Sequence, residues 1–200
     1  VGRLARLALP PLLKSLRQWD HAAADRVDQF IAISRTVQRR ISKYYRRDSR
    51  IIYPPVRTDY FDSHVEVGEY FLIVSRLVPY KRIDIAVHAF NELGLPLRVV
   101  GGGRDRAALK AMARPNVQFL GRLPDEKVKE QMAGCRAFVF PGEEDFGITP
   151  LEVMASGRPV IAYAAGGALD TMEEGQTGLF FREPTPSSLI EAVGRLEQHD

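Results

Sequence analysis

From Glu69 onward the chain alternates short apolar runs with amphipathic stretches, and this rhythm restricts the fold more than any other feature. The runs cover residues 70–74, 97–100, 117–120, 137–140, 159–162 and 178–181. Helical patterns at 83–92, 105–113, 126–133 and 151–155 fall between most of them. Runs that are apolar throughout, instead of at every second residue, belong to strands buried on both faces. The expected architecture is therefore α/β, a doubly wound parallel six-stranded sheet between helical layers. Ligands of such sheets bind beyond the carboxyl ends of the strands. Chemistry is to be sought directly after each run.

The first part of the chain reads differently. Residues 12–19 form a short apolar-basic helix candidate, and 27–33 a strand ended by Ser34, which caps a helix reaching Tyr45. Residues 51–53 form a second strand, stopped by Pro54 and Pro55. These elements are too few for a core of their own. Length and composition (200 residues, 45% hydrophobic, 26% charged) fit one soluble globular domain and a fraction of another. No apolar run approaches the ~18 residues of a membrane span. No secretory leader is evident, and the first residue is Val1, as in a piece of a longer protein. Cys135 is the one cysteine, which excludes an internal disulfide and cysteine-based zinc; small core filler is its expected role. Trp19 is expected to pack rather than bind.

A formal net charge of +3 implies no general affinity for polyanions. Arg39, Arg40, Lys43, Arg46, Arg47 and Arg50 crowd one stretch. That stretch would suit anionic lipid or nucleic acid, or the solvated face of a helix, which is the commoner outcome. It lacks the interleaved aromatic pattern of a base-stacking surface.

After the first run, Arg76 and Lys81 stand five residues apart around Pro79. Two cations on a bent connection can converge on a pyrophosphate, with Arg as a two-pronged donor and Lys as a point charge. After the second run come Gly101, Gly102 and Gly103. Backbone without side chains can approach a ligand closely. The dinucleotide fingerprint fails, however, because Arg106 stands where its third glycine belongs. Each of these segments alone could be an ordinary turn. After the fourth run, Glu144 and Glu152 stand eight positions apart, with Phe146 and Gly147 between them. A helix entered through a glycine turn presents free N–H groups and about half a positive charge, which suits phosphate. Carboxylates beside it repel phosphate and suit hydroxyls instead, since ionised Glu only accepts. Phosphate and hydroxyls on one ligand suggest a sugar nucleotide. Glu143, Glu144 and Asp145 could hold a hard cation, but Arg76 and Lys81 already supply positive charge, and no metal is expected. His21, His64, His88 and His199 are scattered and form no catalytic pattern.

The two glutamates around the Phe-Gly turn, with Arg76 and Lys81, resemble the donor site of retaining glycosyltransferases of family 4 (glycosyl transferases group 1). These have two Rossmann-like domains, the type B fold. The wording Glu-Asp-Phe-Gly is similar to that of bacterial mannosyltransferases of polysaccharide assembly. The resemblance implies that residues 1–60 are the tail of an acceptor-side domain plus linker, and 61–200 the donor-binding Rossmann-like domain. It implies diphosphate contacts for Arg76 and Lys81, a nucleotide-lining turn at Gly101, Gly102 and Gly103, and a base-flanking loop at Arg122 and Leu123. It also implies sugar hydroxyls on Glu144, ribose hydroxyls on Glu152, and sugar and β-phosphate contacts around Phe146, Gly147, Ile148 and Thr149. Arg76, Lys81 and Glu144 would be the catalytic set. The function implied is sugar transfer from a nucleoside-diphosphate sugar to an acceptor hydroxyl with retention, without a cofactor. GDP-mannose is the favoured donor and a UDP-sugar the alternative. The partners implied are this donor and, through the first domain, a glycan or lipid-linked acceptor, with no nucleic acid. A cytoplasmic location, peripheral at the inner face of the membrane, accompanies that reading. The 200-residue chain alone would be inactive, and its final helix, which in the family crosses back to the first domain, would be cut short. Asp145 departs from the Gly of many relatives, and Asp170 from a common Glu. The alternatives are a sugar-nucleotide epimerase and a Rossmann-type oxidoreductase.

Overall fold

The computed structural model describes residues 3–198, with side chains from Leu9 onward; His199 lies outside the described residues. The chain forms two compact units, Val1–Tyr53 and Pro54–Asp200.

In the first unit, helix α1 (Arg3–Ala24) runs on both sides of the expected 12–19 and through Pro10 and Pro11, at the cost of ladder bonds those residues cannot donate. Strands β1 (Phe30–Ala32) and β2 (Ser49–Ile51) pair in parallel and flank helix α2 (Arg35–Tyr45). As expected, Ser34 caps α2, its hydroxyl accepting from the Val37 N–H at 3.1 Å. Both strands are shorter or earlier than the apolar runs suggested, because the ladder between them has only three rungs. Trp19 is 66% exposed, against the expectation that it packs, because the whole stretch of α1 around it is exposed and offers nothing to pack against.

The second unit carries the sheet. Strands β3 (Phe71–Val74), β4 (Leu97–Val100), β5 (Val117–Gly121), β6 (Ala137–Phe140), β7 (Val160–Tyr163) and β8 (Gly178–Phe181) are all parallel, in the order β5-β4-β3-β6-β7-β8. Successive side chains go to opposite faces, so the strands feed two cores, except that the edge strand β5 buries Val117 and Phe119 on one face and exposes Gln118 and Leu120 on the other. Phe71, Ile73, Val99, Val139, Ile161 and Phe181 pack under helices α3 (Ile83–Leu93), α4 (Arg106–Met112) and α8 (Pro186–Glu197). Leu72, Val100, Phe138, Phe140, Ala162 and Phe180 pack on the other face with helices α5 (Asp125–Ala133), α6 (Ile148–Ala155) and α7 (Ala168–Thr171). This is why the runs lack polar alternation. A fully buried Phe such as Phe71 or Phe90, whose rings lie 4.9 Å apart, contributes about 1.5–3 kcal/mol by burial. Cys135 is buried, and burial pushes its thiol up to about 12.

Candidate functional site

Because the six strands are parallel, the loops after β3, β4, β5, β6 and β7 leave one edge. The order reverses between β3 and β6, so the loops after these two strands are neighbours where the sheet parts, the place where such folds hold ligands. Lys81 comes from the first of these loops and Glu144 from the second. Their side chains form an ion pair while only 15% and 21% exposed. Backbone holds each partner. The 3-10 turn Pro79–Lys81 lies so close to Gly142 that a Cβ there would stand 2.9 Å from the Lys81 Cα. The Glu144 carbonyl accepts from the Gly167 N–H at 2.7 Å. Lys81 Nζ also lies 5.3 Å from the Tyr80 ring centroid. Arg76, on the same loop as Lys81, is exposed.

The turn after β4 is interlocked with the loop after β3. Gly101 has φ 126°, and a Cβ there would lie 1.9 Å from the Ser75 carbonyl oxygen. At Gly103 a Cβ would meet the Leu77 carbonyl at 2.2 Å, and the Leu77 N–H donates to the Gly102 carbonyl at 3.0 Å. The missing side chains at 101 and 103 thus let two backbones touch. Gly102 faces Arg122 instead, whose Nε is 3.4 Å from where a Cβ would sit. Leu123, next to Arg122, is partly buried against the core that includes Val153.

Helix α6 starts at Ile148, three residues earlier than the pattern 151–155 suggested. Pro150 falls in its first turn, where an N–H has no intrahelical partner to lose. Gly147 precedes the helix with φ 87°, a left-handed conformation costly for other residues. No side chain caps this end, so the Ile148 and Thr149 amides lie at the positive pole of the helix. Phe146 is buried. Among the described residues, no group of three or more His, Cys, Asp or Glu side chains is placed to hold a metal ion.

One turn further along α6, Glu152 lines a cleft of 510 Å³ together with Ile148, Thr149, Val74, Asp125 and Tyr60. Burial there raises the Glu152 carboxyl above its ordinary range, and the negative charge of Asp125 raises it further. Val74 lines both this cleft and the small space around Lys81 and Glu144. Arg76, Lys81, Glu144 and Phe146 do not line the cleft.

Residues 57–200 match the family described as glycosyl transferases group 1. The chain belongs to that family. An uncharacterized glycosyltransferase of Methanocaldococcus jannaschii is 26% identical over 173 residues, 83% of this chain and 48% of that protein. A GDP-mannose-dependent alpha-mannosyltransferase of Mycolicibacterium smegmatis is 42% identical over 108 residues, 53% of this chain and 28% of that protein. The chain therefore spans less than half the length of either relative. Among solved structures, Anabaena Alr3699/HepE in complex with UDP-glucose shares the fold, with a TM-score of 0.79 over 92% of this chain and 58% of that one at 20% identity. The six-stranded unit is the C-terminal Rossmann-like half of the type B glycosyltransferase architecture.

One wall of this glycosyltransferase cleft was not read from the sequence. The Tyr60 ring is in contact with two cations, its centroid 4.8 Å from the Arg57 guanidinium and 4.4 Å from Lys129 Nζ. Its hydroxyl donates to Glu126 at 2.7 Å, which raises the phenol above its usual range. Arg57 and Tyr60 bracket a short 3-10 turn (Thr58–Tyr60), a local signal, whereas Lys129 arrives from α5 and has none. Asp125 opens α5 directly after Pro124, a helix-start position readable from sequence. No described helix is long and apolar enough to cross a membrane.

Proposed function

We propose that this glycosyltransferase unit binds a nucleoside-diphosphate sugar and supports transfer of the sugar to an acceptor hydroxyl with retention of configuration. The observation that carries the reading is the meeting of Lys81 and Glu144 at the switch point of the sheet, beside the uncapped start of α6. Transfer requires a leaving diphosphate to be stabilised while the anomeric carbon becomes cationic. Arg76, Lys81 and the first-turn amides of α6 supply that electrostatics from fixed positions. Glu144 accepts from the sugar hydroxyls and need not become covalently bound. Glu152, in the adjoining cleft, accepts from ribose. The turn at Gly101, Gly102 and Gly103, with Arg122 and Leu123, flanks the nucleotide, and Gly147 opens the amides toward the phosphates. No cofactor is required.

The acceptor, a glycan or lipid-linked hydroxyl, would be held by a companion domain, so transfer needs more than this unit. Mannose is the sugar favoured by the wording of residues 144–147 and by the GDP-mannose dependence of the mycobacterial relative. A thermal-shift panel of UDP, GDP, ADP, their sugars and NAD tests the reading, because stabilisation follows affinity. A shift with GDP and GDP-mannose is expected. A shift with NAD alone would overturn it in favour of an oxidoreductase.

A further inference from the structure

The Lys81–Glu144 pair pits two binding roles against each other. The cation meant for the diphosphate is held by the carboxylate meant for the sugar. Both side chains are mostly shielded from solvent, and both loops are fixed by backbone contacts to Gly142 and Gly167. The pair therefore forms without rearrangement of the loops and competes directly with any ligand. A free nucleoside diphosphate can recruit Lys81 only by leaving Glu144 without its cation and facing a phosphate of like charge. A nucleoside-diphosphate sugar recruits Lys81 and at once offers hydroxyl donors to Glu144.

Resting on the donor-site reading above, we propose that Lys81 and Glu144 act as an exchange pair that makes the site prefer the sugar-bearing nucleotide over the free one. After transfer the sugar leaves Glu144, which takes Lys81 back and loosens the hold on the diphosphate product. The pair thus links loss of the sugar to release of the nucleotide without any movement of the main chain. Glu144 is then a specificity residue for the intact donor as well as an orienting one.

Isothermal titration of the protein with GDP and GDP-mannose, and with UDP and UDP-glucose, tests this in Glu144→Gln, Lys81→Met and the double variant, with Glu144→Ala as a second probe should the amide find a new partner. Glu144→Gln should bind the free diphosphate about fivefold more tightly, the scale of a partly exposed ion pair released. The preference for the sugar-bearing form should shrink at the same time. In the Lys81→Met background the tightening should disappear, since no cation remains to be freed. Unchanged or weaker binding of the free diphosphate by both Glu144 variants would overturn the exchange while leaving the donor site standing. Equal tightening with and without Lys81 would also overturn it, leaving simple charge repulsion. If neither form of either nucleotide binds the parent protein, the donor-site reading itself falls.

Discussion

The paired loops at Lys81 and Glu144 and the cleft at Glu152 share one edge of the sheet but are built by different physics. The first is made of backbone in contact with backbone: Gly101 against Ser75, Gly103 against Leu77, Gly142 against Lys81. Its two charged side chains project from loops held in close contact by their backbones. The second is made of side chains from separate elements, with Tyr60 against Arg57 and Lys129, and with Glu152 and Asp125 lining a space of 510 Å³. A region of the first kind suits groups that must stabilise charge in a fixed place, where reorganisation would waste the interaction. A region of the second kind can repack around ligands of differing shape. The division suggests where the unit is intolerant of change and where it can vary.

The sharpest way to break the comparison is to put a methyl group where the backbones touch. Gly101→Ala places a Cβ 1.9 Å from the Ser75 carbonyl and forces alanine to φ 126°. A loss of about 3 kcal/mol or more is expected from combined clash and strain, read as a fall in thermal midpoint. A midpoint unchanged within error would show that the loops are not rigid, and the contrast with the cleft would fail. Next in size, Lys81→Ala and Arg76→Ala in the full-length transferase should each cost ~2–4 kcal/mol in transition-state stabilisation, and less in nucleotide affinity. Equal losses in turnover and in affinity would place both cations in ground-state binding only.

Most of the fold was legible because burial on both faces leaves a plain signature. Every strand of the large sheet coincides with an apolar run to within a residue or two, and every run except the edge run 117–120 divides its side chains between the two cores. The doubly wound order followed from the alternation with helices. The start of α6 was placed three residues late because the helical pattern was counted from residue 151, whereas Pro150 already occupies the first turn. Helix α7, at Ala168–Thr171, is a single turn and has no period to detect. At the edge, Lys81 and Glu144 were readable as charges after strands, but their contact was not, since it depends on β3 and β6 being neighbours. The Tyr60 wall was invisible for the same reason: Lys129 meets the ring only after α5 has packed. Glycines 101 and 103 were noticed for what they might admit, whereas the structure shows what already fills the space.

The smallest expected effect tests the cleft, and it has two parts of opposite sign. Glu152 is ionised less readily than an ordinary carboxyl because of its burial and the nearby charge of Asp125. The unfolded chain would release this proton near the ordinary value of 4.5, and the folded protein only at higher pH. Between those two points the native state binds more protons, so stability falls as pH rises through the window and the deficit then stays constant. Glu152→Gln cannot ionise and should therefore be more stable than the parent near neutral pH, by less than ~1 kcal/mol once solvent screening is allowed for. The advantage should vanish below the ordinary carboxyl value. The same change removes a charged acceptor from the proposed ribose site and should weaken nucleotide binding by about 1–2 kcal/mol. Melting curves across pH and a nucleotide titration separate the two. A variant no more stable at neutral pH would refute the burial argument, and one that binds as tightly as the parent would remove ribose from Glu152. Gain in one measurement with loss in the other is the signature of a carboxylate kept in an unfavourable place for its ligand.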